Sequence, residues 1–216
     1  VTIHFLLWGP KGRALVGVML CLFATGGDLL YGHHRMHTLP PSKGMLKIGL
    51  VQGNIEQDIK WREDLQRATL KIYEGMTYQL KDERPHLVIW PETAFPAYFP
   101  TGGELDEIVK RVPQEMRCYL LFGGLSKRDG HILNSAFFLS PRGDLLDRYD
   151  KLHLVPFGEY IPLRKLLAPF FGILAQMGDI TPGERMTVFS LSEGRFSCLI
   201  CFEVIFPELS REATKR

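Results

Sequence analysis

Little in this chain is extreme, and each shortage removes a class of explanation. Only four of its 216 residues are cysteine, too few at this length for a disulfide scaffold. Cys198 and Cys201 form a C-x-x-C pair, but no second ligand pair stands at a zinc-like spacing, so no metal and no cofactor is expected. Charge of one sign is missing too: 26 lysines and arginines face 24 aspartates and glutamates. With no RNA- or DNA-binding signature beside that balance, nucleic acid is not an expected partner. Repeats and low-complexity tracts are absent, and 45% hydrophobic with 23% charged residues excludes bulk disorder.

Long apolar runs are scarce as well, with one exception. Ala14 to Tyr31 (ALVGVMLCLFATGGDLLY) would reach about 27 Å as a helix, near the thickness of a bilayer core. Gly26, Gly27 and Asp28 weaken it, and Lys11 and Arg13 ahead of it also fit a signal peptide. The apolar Phe5-Leu6-Leu7-Trp8 upstream argues against a signal peptide, so a transmembrane helix over about 14–31 is the preferred reading. Lys11 and Arg13 then mark the cytoplasmic side, which puts everything after Tyr31 outside the cytoplasm. His33, His34, Arg35 and His37 at the exit read as headgroup contacts rather than metal ligands. Thr38 to Gly44, with Pro40-Pro41, reads as a stiff linker. Residues 1–44 are thus a membrane segment and linker, and 45–216 a globular domain.

Within the globular part, short apolar runs alternate with helical stripes. Met45–Gln52, His86–Trp90, Tyr119–Phe122, Leu133–Leu139 and Leu145–Tyr149 read as strands, with Gly123-Gly124 as the stop of the third. Trp61–Glu83 and the stripe Leu105, Ile108, Val109, Val112 read as amphipathic helices. Strands buried on both faces and interleaved with helices predict an α/β layered domain.

Three chemically capable side chains stand at the ends of these runs. Glu92 follows His86–Trp90 and is boxed in by Pro91 and Pro96, a partly desolvated setting that suits proton transfer. Lys151 follows Leu145–Tyr149. Cys201 sits in Arg195–Pro207, which reads as a buried strand ended by Pro207 and carrying the cysteine at its edge. On a strand the sulfurs of Cys198 and Cys201, three apart, would point to opposite faces. Alone, each has a plainer account: a turn-forming acid, a solvated lysine, a small buried thiol.

Taken in order, Glu92, Lys151 and Cys201 follow the pattern of the carbon–nitrogen hydrolase (nitrilase) superfamily, which the chain resembles from about Met45 onward. The local words narrow the likeness. Val51-Gln52-Gly53-Asn54-Ile55 with Trp61 downstream, Trp90-Pro91-Glu92-Thr93, Lys151 ahead of His153-Leu154-Val155-Pro156-Phe157-Gly158-Glu159-Tyr160, and Ile200-Cys201-Phe202-Glu203 resemble the apolipoprotein N-acyltransferases. The resemblance implies an α/β fold, a nitrilase-like α-β-β-α sandwich, and a Glu92–Lys151–Cys201 triad. Cys201 would be the nucleophile, Glu92 the general base and acid, and Lys151 the oxyanion cation. Glu159, Glu203, Trp61 and Phe202 would orient those groups and the substrates. It also implies a bacterial inner-membrane enzyme with its catalytic domain on the periplasmic side. Its acyl donor would be a phospholipid and its acceptor the α-amino group of a diacylglyceryl-cysteine lipoprotein.

Two features depart from that family. Phe202 stands where a tyrosine is expected after the nucleophile, and Arg216 comes soon after Cys201 whereas the family's domain continues to further strands and a closing span. The resemblance therefore implies a C-terminally truncated sandwich, inactive and poorly soluble on its own. Ile161 to Met177, apolar and broken by Pro162 and Pro169, is either a buried helix-loop or a lid that dips into the membrane. An amidase-type hydrolase with the same triad, and a membrane-anchored binding module that kept it as packing, remain as alternatives.

Overall fold

The computed structural model describes residues 10–38, 44–56, 62–156, 158–160 and 180–215. Trp61, Phe157 and the segment Ile161–Met177 lie outside them. The chain divides into two compact units, Val1–Gly44 and Met45–Arg216.

The first unit is a helix, α1 (Pro10–Thr38). Its stretch Gly12–Thr38 is long and apolar enough to cross a membrane. Side chains that would be costly in water stand outward along it, Phe23 at 82% exposure and Leu20 at 64%. The helix runs past the expected end at Tyr31 and carries His33 and His37 edge to face, ring centroids 4.4 Å apart. Among the described residues, no three histidine, cysteine or carboxylate side chains converge as a metal site.

The second unit is layered. Strands β1 (Ile48–Leu50), β2 (Leu87–Ile89), β3 (Tyr119–Arg128), β4 (His131–Leu139) and β5 (Leu145–Asp150) form one sheet in that order. The first three are parallel, and β4 and β5 continue it as an antiparallel meander. Because side chains alternate along a strand, this sheet feeds two cores. On one face Val88, Leu120, Phe122 and Phe137 pack with Leu70 and Tyr73 of α2 (Gln66–Tyr78) and Ile108, Val109 and Val112 of α3 (Glu104–Met116). On the other face Leu87, Leu121, Phe138 and Tyr149 meet Phe189, Ile200 and Leu209. Those partners come from a hairpin, β6 (Phe189–Leu191) with β7 (Gly194–Phe196), and from α4 (Pro207–Lys215) with the segment between. Helices, sheet, second strand layer and helix follow in the expected α-β-β-α sequence.

Two expectations fail in instructive ways. Gly123-Gly124 do not end a strand: β3 runs through them to Arg128, and both glycines are buried within it. Gly123 is needed for close approach, as described below. Arg195–Pro207 is not one buried strand either. It is β7 only as far as Phe196, then extended chain, then a 3₁₀ turn over Cys201–Ile205. Pro207 opens α4, where its missing N–H is no loss.

Candidate active site

Glu92 is placed by what surrounds the end of β2. Trp90 is buried, stacks on Tyr73 with centroids 5.2 Å apart, and donates its indole N–H to Thr77 Oγ1 at 2.9 Å. Trp90 N–H also bonds Leu121 O at 2.9 Å, which ties the strand end to β3. The chain then crosses close over β3: Gly123 N–H donates to Pro91 O at 3.2 Å and Phe95 N–H to Gly123 O at 2.9 Å. A Cβ on Gly123 would lie 2.6 Å from Glu92 Cα, so only glycine admits this crossing. Thr93, beside Glu92, holds φ at 50°, a left-handed conformation that a β-branched residue adopts at a strain.

Lys151 leaves β5 at the same end of the sheet, its backbone N–H bonded to Asn134 O on β4 at 2.8 Å. Its side chain is 1% exposed, and a buried ammonium needs anionic partners. Glu159 is one, with both carboxylate oxygens 2.9 Å from Nζ, and Glu92 Oε1 is another at 3.8 Å. Burial would raise the Glu159 carboxyl, but hydrogen bonds from Lys151, from Val155 N–H and from Asn134 outweigh it and hold the carboxyl below its ordinary value.

Asn134 joins these groups. Its Nδ2 donates to Glu92 Oε1 at 2.7 Å and to Glu159 Oε1 at 2.9 Å. Its Oδ1 is buried and has no hydrogen-bond partner among the described residues.

The third predicted side chain comes from the other layer. Cys201 begins the 3₁₀ turn with φ at 55°, and its side chain is exposed. A positive φ is uncommon for a non-glycine residue and marks a sharp change of chain direction at the start of the turn. The turn is anchored by Glu203, fully buried, which accepts from Tyr149 Oη at 2.9 Å, Leu152 N–H at 2.8 Å, His153 N–H at 3.0 Å and Ile200 N–H at 2.8 Å. Glu203 thus grips the backbone that follows Lys151 rather than the Lys151 ammonium itself. Burial and the Glu203 charge push the Tyr149 hydroxyl well above its ordinary value, so it remains a donor.

Glu92 and Cys201 line one cavity of about 210 Å³, together with Asn134, Gly123, Ile200 and Cys198. The sulfurs expected to diverge on a strand therefore share a wall, because residues 198–201 are not a strand. They differ chemically: burial, then the charge of Glu203, pushes the Cys198 thiol up to about 12, whereas Cys201 stands open to solvent. Phe202, next to it, is 52% exposed and donates no side-chain hydrogen bond. Sequence reasoning passed over Asn134, Gly123 and Tyr149. The one signal for Asn134 was a polar side chain in the middle of an apolar strand.

Such a carboxylate, buried ammonium and accessible thiol can support nucleophilic attack by sulfur on a carbonyl carbon. Comparisons with known proteins bear on the family and the fold. The chain is 39% identical over 207 residues to the apolipoprotein N-acyltransferase of Geobacter metallireducens, covering 94% of this chain and 40% of that protein. It is 36% identical over 174 residues to that of Methylococcus capsulatus, covering 79% and 34%. The chain therefore spans well under half the length of the curated relatives it matches. Among solved structures, an amidase from Nesterenkonia sp. aligns with a TM-score of 0.56 at 19% identity, covering 78% of this chain and 60% of that one. A carbon–nitrogen hydrolase from Helicobacter pylori G27 aligns with a TM-score of 0.56 at 19% identity, covering 77% and 55%. At that identity the likeness speaks to the fold, and the fold is the same layered sandwich. The carbon–nitrogen hydrolase family model matches residues 47–216, nearly the whole of the second unit, and on that extent the chain belongs to the carbon–nitrogen hydrolase family.

Proposed function

We propose that this chain carries the catalytic centre of an apolipoprotein N-acyltransferase, moving a fatty acyl group from a phospholipid to the α-amino group of a diacylglyceryl-cysteine lipoprotein. The observation that carries the reading is the shared cavity of Glu92 and Cys201, with the Lys151 ammonium 3.8 Å from the Glu92 carboxylate. Similarity to the Geobacter metallireducens N-acyltransferase over 94% of the chain supports the substrate class.

The chemistry follows from the side chains. Cys201 Sγ attacks the ester carbonyl carbon while its proton passes to Glu92. Lys151 stabilises the oxygen that gains charge. The intermediate collapses by breaking the ester C–O bond, and Glu92 returns the proton to the departing lysophospholipid alkoxide. The amine then attacks the thioester, Glu92 takes an N–H proton, and the C–S bond breaks to give amide and thiol. Glu159 holds Lys151 in place, and Glu203 holds the Cys201 turn against the segment after Lys151. The helix α1 fits an enzyme placed at a membrane, with Lys11 and Arg13 on its cytoplasmic side and the second unit in the periplasm.

The test is thioester trapping in the full-length protein, in detergent with phospholipid. A mass gain of one fatty acyl group, labile to hydroxylamine and absent in Cys201→Ala, is expected, as is its discharge to an amide by a diacylglyceryl peptide. Turnover of small amides without acylation by phospholipid would instead make the chain a hydrolase of the same family.

A further inference from the structure

Asn134 stands in the apolar run Ile132-Leu133-Asn134-Ser135-Ala136-Phe137 and is 3% exposed. Buried amides are held by hydrogen bonds, and this one is held by two carboxylates. An amide between two carboxylates must turn its NH2 toward both, since its oxygen there would meet only acceptors. The orientation is therefore fixed by chemistry, and it leaves Oδ1 unpartnered among the described residues. A buried acceptor without a partner is unfavourable, so the arrangement persists because the two donated bonds outweigh it.

The distances show what those bonds do. Lys151 Nζ lies 2.9 Å from Glu159 but 3.8 Å from Glu92, so the lysine bonds Glu159 and only attracts Glu92. Asn134 Nδ2, by contrast, reaches Glu92 Oε1 at 2.7 Å, within hydrogen-bond distance. We propose that Asn134 is a positioning residue of this site, whose single NH2 group binds Glu92 to the Glu159–Lys151 pair and so sets the Glu92 carboxylate facing the cavity it shares with Cys201. The inference rests on the reading of Glu92 as the group that exchanges protons with Cys201.

Aspartate at this position has the shape of asparagine but, when ionised, nothing to donate. It would also put a third carboxylate beside Glu92 and Glu159, with Lys151 as the facing cation and the thiols of Cys201 and Cys198 on the cavity wall. Packing and positioning therefore predict opposite orders. If Asn134 only fills space, N134D is milder than N134A. If it positions by donation, N134D is the worse of the two near neutral pH.

The experiment measures the first-order acylation of Cys201 in the full-length protein with two donors, phospholipid and p-nitrophenyl butyrate. Rates are taken per acylatable thiol, so misfolded protein does not enter. N134A should acylate about 10²-fold more slowly than the native chain, the loss expected when a proton-transfer group is misplaced by about an ångström. N134D should be slower still by about tenfold, with the half-saturating donor concentration unchanged in both. Lowering the pH should restore N134D relative to the native chain, because a protonated carboxyl regains an O–H donor. Equal rates for the two variants, a faster N134D, or a pH-independent ratio would overturn the proposal. Glu92→Gln separates the two readings: acylation at the native rate would remove Glu92 from the mechanism, whatever the Asn134 variants do. Acylation by the butyrate ester alone would remove the phospholipid donor and still leave the Asn134 comparison measurable.

Discussion

The crossing of Pro91–Thr93 over β3 makes Gly123→Ala the sharpest single perturbation of the site. The added methyl carbon would lie 2.6 Å from Glu92 Cα, 2.6 Å from Thr93 N and 2.8 Å from Pro91 O. All three are backbone atoms, so no side chain can rotate away. Ordinary contact begins near 3.4 Å, so the segment must lift by about 0.8 Å, and on the proposed mechanism a shift of that size moves the Glu92 carboxylate out of line. We expect acylation of Cys201 to fall about 10²-fold, with a loss of stability of about 1–3 kcal/mol from overpacking. Gly124→Ala is the matched control. Its methyl would meet the Phe95 Cβ at 3.2 Å and a Phe137 ring carbon at 3.4 Å, contacts that a shift of a few tenths of an ångström relieves. It should melt and acylate nearly as the native chain does. Thioester yield by mass, measured with thermal melting of both variants, decides the matter. If Gly123→Ala acylates at the native rate, the crossing does not set the position of Glu92 and the reasoning fails.

Other expectations follow from the same geometry. Glu203→Gln removes a buried acceptor from four donor groups and turns an NH2 toward at least one of them, so it should cost about 1–3 kcal/mol in denaturant melts and abolish acylation. Glu159, lowered in the folded state, binds fewer protons there than when unfolded; its contribution is whole at neutral pH and is lost as the pH falls through its folded value, below the ordinary glutamate pKa of about 4.3. Melting at pH 7, 4 and 3 should show that loss, and Glu159→Gln should flatten it. Iodoacetamide at pH 8 should label Cys201 ahead of Cys198 and Cys118, whose thiols burial pushes up to about 12 and about 11. Peptide mapping that found Cys198 modified first would contradict the assignment of the nucleophile.

Much of the layered fold was legible because its signals are local. Apolar runs of strand length and the helical stripe through Ile108 and Val112 needed no partner to be read. The misreadings came from long-range packing. Gly123 and Gly124 look like a turn in sequence, yet they sit in mid-strand because another segment passes within contact of the backbone, and nothing local reports that. The run from Arg195 to Pro207 has the composition of a strand, but its hydrophobes serve the second core individually: Phe196 against Phe138, Ile200 and then Leu209 below β2 and β3. Composition alone cannot separate extended chain that packs from extended chain that pairs. Glu92 and Cys201 could be noticed because each ends an apolar run. Asn134 shows in sequence only as a polar residue within an apolar strand, and its role appears only when the ends of β2 and β5 are brought to either side of β4.

That placement divides the site by layer. Glu92, Asn134 and Lys151 all hang from the five-stranded sheet, bound by backbone bonds such as Lys151 N–H to Asn134 O and Trp90 N–H to Leu121 O. Cys201 does not: the hairpin and turn that carry it form no ladder with that sheet. Thr187, just ahead of the hairpin, donates its hydroxyl to Arg148 O of β5 at 2.9 Å, and at the Cys201 turn itself the two halves are joined through Glu203, which takes Ile200 N–H from the turn and Tyr149, Leu152 and His153 donors from the segment around Lys151. A carboxylate suits that task because it accepts several bonds at once and, being buried, tolerates no missing partner. Any displacement of the Cys201 turn relative to Lys151 leaves part of that charge unsatisfied, so the spacing of Cys201 and Lys151 is defended by a steep penalty. Glu203 therefore differs from Glu159 in kind: Glu159 holds a side chain, while Glu203 holds the register between two layers, and its loss should remove stability and reactivity together.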